Sequence, residues 1–438
     1  MDKDQKAFHK SRRELLRKVI GRDAVAVIFG STNFNKSFDG NFRFKQYKNL
    51  YYLTGFEEPN AALMISDKEI GKTGSNEILF VQKKDKMYET WDGLRLGYEN
   101  VNSELGIRKA LENSELQKYL NMAKNRNLRR IYVNISELIK LTGELRQYAS
   151  SFLDSLNRLA ANVEVIDIGY IMGRLRAVKT KYEMKMIGKA SDISVKSYYE
   201  AIKSIMPGRH EYEIQAALEY NYKIFGSEDN AYYPIVASGD NGCILHYEDN
   251  NCVLRNGELL TIDSAGEHRY YCSDITRTFP IGGRFTKEQR LIYDLVLKAN
   301  KECIRMCRPG ASFKRIGEVS DYIIADGLKK AGLLKDKKDV KKFTLHGIGH
   351  HIGLDTHDAV SYTITREDNN DRLKAGNVLT IEPGIYIPGD MTSVPKKFRG
   401  TAVRIEDVIA VTGKGPVNLT SHMIKEPDDI EAFMTGNA

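Results

Sequence analysis

The chain has 438 residues, more than one ordinary core organises, so two or three domains are expected. Hydrophobic residues make up 42% and charged residues 28%, the balance of a soluble globular protein. A net charge of +8 is spread along this length without the basic stripe of a nucleic-acid binder, and clusters such as LKDKKDVKK (334–342) are interrupted by acids and read as solvated surface.

The N-terminus, MDKDQKAFHKSRRELLRK, is charged from its second residue and fits no secretory signal. The longest early apolar run, AVAVIF (24–29), is far short of a membrane span. Five cysteines, Cys243, Cys252, Cys272, Cys303 and Cys307, form no C-x-x-C pair, which argues against a disulfide framework and for a reducing compartment. Cys303 and Cys307, four apart on an expected helix, read as buried thiols. A cytoplasmic protein with neither nucleic acid nor membrane as partner is expected.

Residues 1 to about 170 alternate between strand-like and helix-like stretches. AVAVIF, NEILFVQ (76–82), RRIYVNI (129–135) and NVEVIDI (162–168) read as buried strands, and SELQKYLNMAKN as a polar helix between them. This α/β part carries no dense set of ligand-type residues. Its one unusual stretch is YETWDGLRLG (88–97), a polar, loop-like segment holding Trp91, the only tryptophan of the chain. A long amphipathic helix follows, with Met184, Ile187, Val195, Tyr198, Ile202 and Ile205 on its apolar face, and Pro207-Gly208 stops it. The domains are placed at 1–172 and 173–438.

The second domain contains an internal echo. LRNGELLTID (254–263) matches LKAGNVLTIE (373–382) in register, with an acid closing each, Asp263 and Glu382. Upstream, PGRHEYEI (207–214) and PGASFKRI (309–316) match in the same order. Two related halves are predicted, each running helix, Pro-Gly turn, helix and β-hairpin. Each echoed strand is followed by a second acid: Asp274, alternating with Thr276 and Thr278 on one strand face, and Glu406, sharing a face with Arg404. Four carboxylates converging in a core are prohibitively repulsive unless cations join them. With an imidazole they suit two ions such as Mn²⁺, Co²⁺ or Zn²⁺. HGIGHHIGLDTHD (346–358) holds four of the nine histidines. His346 and His350 have i, i+4 spacing, but Gly347 and Gly349 disfavour a helix and no H-E-x-x-H motif is present. A glycine-rich loop or strand end with one histidine facing the ions is expected.

The stretches ASGDNGCILHY (237–247), TIDSAGEHRYYCSDITRTFP (261–280), HGIGHHIGLDTHD, LTIEPGIYIP (379–388) and RGTAVRIEDVIAV (399–411) resemble the "pita-bread" metallopeptidases, and within them the Xaa-Pro aminopeptidases (aminopeptidase P). NLYYLTGFEEPNAALMI (49–65) and ETWDGLRLG resemble that family's N-terminal domain, so the likeness covers nearly the whole chain. It implies an α/β N-terminal domain followed by an α+β pita-bread catalytic domain with an internal pseudo-twofold repeat. It implies metal ligands Asp263, Asp274, His350, Glu382 and Glu406, with Asp274 and Glu406 bridging two ions, most commonly manganese. A hydroxide between the ions would attack the carbonyl of an Xaa-Pro bond. His357 would contact that carbonyl, Glu382 would shuttle a proton, His246 would line the proline pocket, and His346, Arg404 and Tyr386 would be further site residues. His351 falls where the family places no ligand. The implied partners are peptides with proline second and further copies of the chain, as a homodimer or homotetramer. The N-terminal domain would restrict access, with Trp91 either covering a neighbouring subunit's site or packing half-buried in its own domain. An Xaa-Pro dipeptidase (prolidase) shares the fold and ligands and is the alternative. Such a long first domain is not typical of methionine aminopeptidases, and creatinase-like hydrolases or non-catalytic binding relatives would lack the five ligands.

Overall fold

The computed structural model describes residues 1–124, 128–138, 154, 163–358 and 372–436. They form two compact units, Met1–Leu175 and Arg176–Ala438.

In the first unit AVAVIF becomes β1 (Ala24–Phe29), with all six residues buried. It sits inside a six-stranded sheet with β2 (Ala62–Ser66), β3 (Glu77–Val81), β4 (Ala110–Glu112), β5 (Arg130–Val133) and β6 (Glu164–Asp167), in the order β4-β3-β2-β1-β5-β6. β1 runs antiparallel to β2 and parallel to β5, so the sheet is mixed. A strand buried on both faces needs apolar residues throughout, which is why β1 reads as a continuous run instead of an alternation. The helix Lys3–Ile20 packs Phe8, Leu16 and Ile20 inward. Its buried Arg13 is satisfied by Glu77 Oε2 (3.0 Å) and the carbonyls of Leu53 (2.9 Å) and Gly106 (3.1 Å).

YETWDGLRLG departs from the loop expected of it. Lys86–Asp92 is a helix, capped by Asp85 accepting from the Met87 N–H (3.0 Å) and ended at Gly93, whose φ is +95°. The Asp85 cap is what the polar composition disguised. No residue of this helix is buried, and Trp91 is 84% exposed, so half-buried packing within its own unit is excluded.

The second unit has the two-half organisation read from the echo. The first half pairs helices Lys181–Ile202 and Glu211–Ile224, and the second pairs Lys287–Met306 and Phe313–Lys330. Each half opens on a threonine capping box, Thr180 with Glu183 and Thr286 with Gln289. The Pro-Gly turns make the same bond: Gly208 N–H to the Leu254 carbonyl (2.9 Å) and Gly310 N–H to the Leu373 carbonyl (2.7 Å). Cys303 and Cys307 are both buried and unpaired.

The strands of this unit are β7 (Ile235–Ser238), β8 (Leu259–Asp263), β9 (Glu267–His268), β10 (Tyr271–Cys272), β11 (Thr276–Pro280), β12 (Val378–Ile381), β13 (Gly384–Ile387), β14 (Thr401–Arg404), β15 (Asp407–Thr412) and β16 (Gly415–Asn418). The echoed stretches are β8 and β12. β8 pairs antiparallel with β11 and β7, and β12 with β15. The register sets Thr276 opposite Asp263 and Asp407 opposite Ile381, so Asp274 and Glu406 lie at the same ends of their hairpins as Asp263 and Glu382. Two expected strands are shorter than their sequence pattern. Asp274 precedes β11, and the chain breaks at Ile405–Glu406 between β14 and β15. At that break the Glu406 N–H bonds to the Thr276 carbonyl (3.0 Å) and the Glu406 carboxylate turns onto the Thr276 hydroxyl (2.8 Å).

Candidate metal centre

Asp263, Asp274, Glu382 and Glu406 converge on a cavity of about 720 Å³. His246, His346, His350, His357 and Arg404 line the same cavity. Tyr386 is fully buried behind that wall, not on it. Its hydroxyl receives Arg404 Nη1 (2.8 Å) and meets His346 Nε2 (2.6 Å), so it reaches the cavity through those two residues. Trp91 belongs to the first unit and is not among the lining residues.

Four carboxylates here meet one guanidinium. Arg404 Nη2 lies 2.9 Å from Asp263 Oδ2, and its Nε donates to Thr276 (3.2 Å). The rest of the charge is uncompensated by the chain. Burial, and then Asp263, push the Asp274 pKa well above the usual carboxylate range, and burial and Asp274 do the same to Glu406. Burial and Glu406 push Glu382 up to about 8. The Tyr232 hydroxyl lies 2.5 Å from Asp263 Oδ1 and 2.6 Å from Asp274 Oδ1, with a single proton to give to both. Such a centre calls for cations.

The donor geometry fits them. One atom each of Asp274, His350 and Glu406 lie within 4.8 Å of one another. His350 Nδ1 is 3.1 Å from the His351 carbonyl, which can only accept, so in the neutral ring the proton sits on Nδ1 and Nε2 carries the lone pair. That Nε2 faces Asp274 Oδ2 (3.4 Å) and Glu382 Oε1 (3.6 Å). An imidazole lone pair aimed at carboxylate oxygens is a ligand arrangement, not a hydrogen bond.

The histidine-rich stretch is neither helix nor regular strand. It runs along β12: the Thr380 N–H donates to the His350 carbonyl (2.8 Å), and the Ile352 N–H to the Val378 carbonyl (3.1 Å). Gly349 is required there, since a Cβ would lie 2.1 Å from the Thr380 carbonyl oxygen. The His357 ring lies 4.2 Å from that of His350 at 64°, and burial together with His350 lowers its pKa, leaving a neutral imidazole. Burial and Arg404 lower His346 to about 4.

Sequence reasoning passed over two residues. Tyr232 sits in AYYP (231–234), where nothing distinguishes it from a packing tyrosine. Glu211 opens a helix and reads as an ordinary N-terminal acid. It is instead fully buried and accepts from Ser238 N (2.7 Å), Ser238 Oγ (2.7 Å), Asn241 (3.2 Å), Tyr247 OH (2.8 Å) and Cys252 N (2.9 Å). It thereby ties down the loop bearing His246.

A two-half α+β body with a buried carboxylate–imidazole centre defines a metal-dependent hydrolase. Residues 185–413 match the sequence profile of metallopeptidase family M24, and residues 8–132 that of the aminopeptidase P N-terminal domain. The chain is 35% identical to the Xaa-Pro aminopeptidase of Escherichia coli (strain K12), over 97% of this chain and 96% of that one. Among solved structures it is similar to proline aminopeptidase P II from Yersinia pestis, with TM-score 0.89, 33% identity and 99% and 100% of the two chains covered. Aminopeptidase P from E. coli with the inhibitor Pro-Leu gives TM-score 0.88, 34% identity and 99% and 98% coverage. The chain belongs to metallopeptidase family M24 and, within it, to the Xaa-Pro aminopeptidases.

Proposed function

We propose that the protein is a metal-dependent aminopeptidase that releases the first residue from peptides with proline in second position. The observation that carries this is the convergence of four buried carboxylates and the His350 lone pair, in a member of this family. Asp263, Asp274, His350, Glu382 and Glu406 are the residues that would hold two divalent ions, with Asp274 and Glu406 central to the set. The carboxylate-rich set favours manganese, with cobalt or zinc as the other candidates. Bound there, the ions supply Lewis acidity that makes a water nucleophilic near neutral pH.

The chain's own groups complete the reaction. His357, neutral and at the cavity, donates a hydrogen bond to the substrate carbonyl oxygen as charge develops on it. The nitrogen of an Xaa-Pro bond carries no hydrogen, so cleavage must deliver one to it. Glu382, a carboxylate on the cavity wall, is placed to do so. His246 borders the proline ring. Arg404, His346 and Tyr386 form one hydrogen-bonded chain that orients Asp263 and Glu382.

A dipeptidase needs a cation to hold the product-side carboxylate. Among the described lining residues the one permanent cation is Arg404, already bound to Asp263, Tyr386 and Thr276. This favours the aminopeptidase over the dipeptidase. The first unit is assigned to access control and self-association as a homodimer or homotetramer. The exposure of Phe38 (102%), Leu94 (90%) and Trp91 (84%) supports that assignment. Five cysteines that form no disulfide support a reducing, cytoplasmic setting, and among the described residues no helix is long and apolar enough to cross a membrane.

The test is to strip the protein with chelator, reload it with Mn²⁺, and offer an Xaa-Pro dipeptide beside an Xaa-Pro-Yaa tripeptide. Tripeptide cleavage that returns with the ion, at a stoichiometry approaching two per chain, supports the reading. Cleavage of the dipeptide alone would replace it by the dipeptidase.

A further inference from the structure

We propose that Arg176 is a positioning residue for His357: its guanidinium bridges the carboxylates on either side of that histidine and clamps the turn that carries it. The proposal rests on the reading of His357 given above.

His357 lies in a segment without regular secondary structure, residues 352–358. Its ring touches that of His350 and makes no hydrogen bond among the described residues. A side chain of that kind takes its direction from its backbone. The segment is held by few hydrogen bonds: Ile352 N–H to the Val378 carbonyl (3.1 Å), Cys272 N–H to the Gly353 carbonyl (2.8 Å), Gly353 N–H to the Asp355 carbonyl (3.0 Å), Asp358 N–H to the His351 carbonyl (2.9 Å), Cys272 Sγ to the Leu354 carbonyl (3.7 Å) and the Thr356 hydroxyl to the Ala231 carbonyl (3.4 Å).

An ionic restraint is added to these. One nitrogen of Arg176, Nη2, lies 2.5 Å from Asp355 Oδ2 and 2.6 Å from Asp358 Oδ1. Lys179 Nζ takes the other Asp358 oxygen at 2.9 Å. Asp355 is two residues before His357 and Asp358 one after, so the guanidinium spans the histidine's own turn. Arg176, Lys179 and Asp358 are buried, while the Asp355 side chain is 40% exposed and borders the cavity. Two cations and two carboxylates balance, as a buried ionic group must. Gly353 makes room for them, since a Cβ there would lie 2.2 Å from Asp358 Oδ2. Both contacts fall on Nη2, whose two hydrogens are held in the guanidinium plane, whereas the hydrogens of an ammonium rotate about its flexible stem and fix neither direction.

The test is a double-mutant cycle in the metal-loaded enzyme, with kcat and KM for an Xaa-Pro-Yaa tripeptide, ion content and thermal unfolding recorded for R176K, D355N, H357A and R176K/H357A. R176K is expected to lower kcat by about tenfold or more with KM within roughly twofold, because small misplacements of a catalytic group act on turnover. Ion content should be unchanged. D355N, which cuts only the half-exposed arm, is expected to do the same to a smaller degree and serves if R176K does not fold. In the H357A background R176K should change kcat by less than about twofold, since a group acting through His357 has nothing left to position. An equal loss in both backgrounds, or full turnover in R176K and D355N, would overturn the clamp while leaving His357 in place. Full turnover in H357A overturns the role of His357 itself, and the clamp with it.

Discussion

Asp274 and Glu406 are acids that the chain alone cannot keep ionised. Each is buried: burial and Asp263 raise Asp274, burial and Asp274 raise Glu406, and among the described residues neither is paired with a lysine or arginine. Asp274→Ala is therefore expected to lose ion stoichiometry together with activity, by more than the 10–100-fold that even a supporting residue of a metal site costs. Near-normal turnover with full ion content would remove Asp274 from the ligand set. His357→Ala should behave oppositely: ions retained, and about 2.7–4 kcal/mol of transition-state stabilisation lost from kcat/KM, as for removal of one oxyanion donor. Loss of ions in His357→Ala, with His350→Ala retaining them, would exchange the two assignments. Three of the carboxylates were legible because each closes an apolar, β-branched run, which announces burial, and Asp274 through its alternation with Thr276 and Thr278. Tyr232 and Glu211 were not, because their chemistry lies in partners distant in sequence. Tyr386 was legible as a residue near the site but not as one behind its wall, since depth leaves no mark on a strand that is apolar throughout.

The strands and capping boxes of both halves follow from periodicity and local hydrogen bonding, so the repeat could be read before the fold. The docking of HGIGHH along β12 could not, because glycine has no side chain to report a period. Gly349 tests that docking. With φ +155° and the Thr380 carbonyl oxygen 2.1 Å from a prospective Cβ, Gly349→Ala must push the segment off β12. A cost of about 1–3 kcal/mol is expected from overpacking, with weakened ion retention because His350 is the next residue. Unchanged unfolding temperature and ion content would contradict the docking. In the first unit, the helix Lys3–Ile20 buries His9, whose Nδ1 meets the Tyr52 carbonyl at 3.0 Å. Burial, with Arg13 adding to it, lowers the pKa from 6.5 to about 4, against the raising effect of the Tyr52 bond. Below pH 6.5 the unfolded chain takes a proton that the folded chain refuses, so stability falls until about pH 4 and then levels. Relative to His9→Gln, wild type should lose about 3 kcal/mol across that window, at 1.36 kcal/mol per pH unit. Parallel denaturation profiles of the two proteins from pH 7 to 4 would contradict it.

For the whole molecule, a second unit holding the candidate centre and a first unit without a ligand cluster among its described residues imply a division of labour. The lone tryptophan was legible as unusual; its helix was not, because a seven-residue element capped by Asp85 leaves too short a pattern. Trp91→Ala should fold normally yet change catalytic efficiency by an amount that depends on peptide length, or lower the oligomer size seen by light scattering. Identical kinetics and mass would leave Trp91 a surface residue without a part in the assembly. The central claim is that one buried dimetal centre hydrolyses the bond before a penultimate proline. It is tested most directly by mass analysis of the Mn²⁺-loaded protein acting on a peptide of several residues with proline second, beside the same peptide with alanine there. The account predicts release of the single first residue from the proline peptide, little from the alanine peptide, and loss of both with chelator. Equal cleavage of the two peptides, internal cleavage, or activity that survives removal of the ions would contradict it.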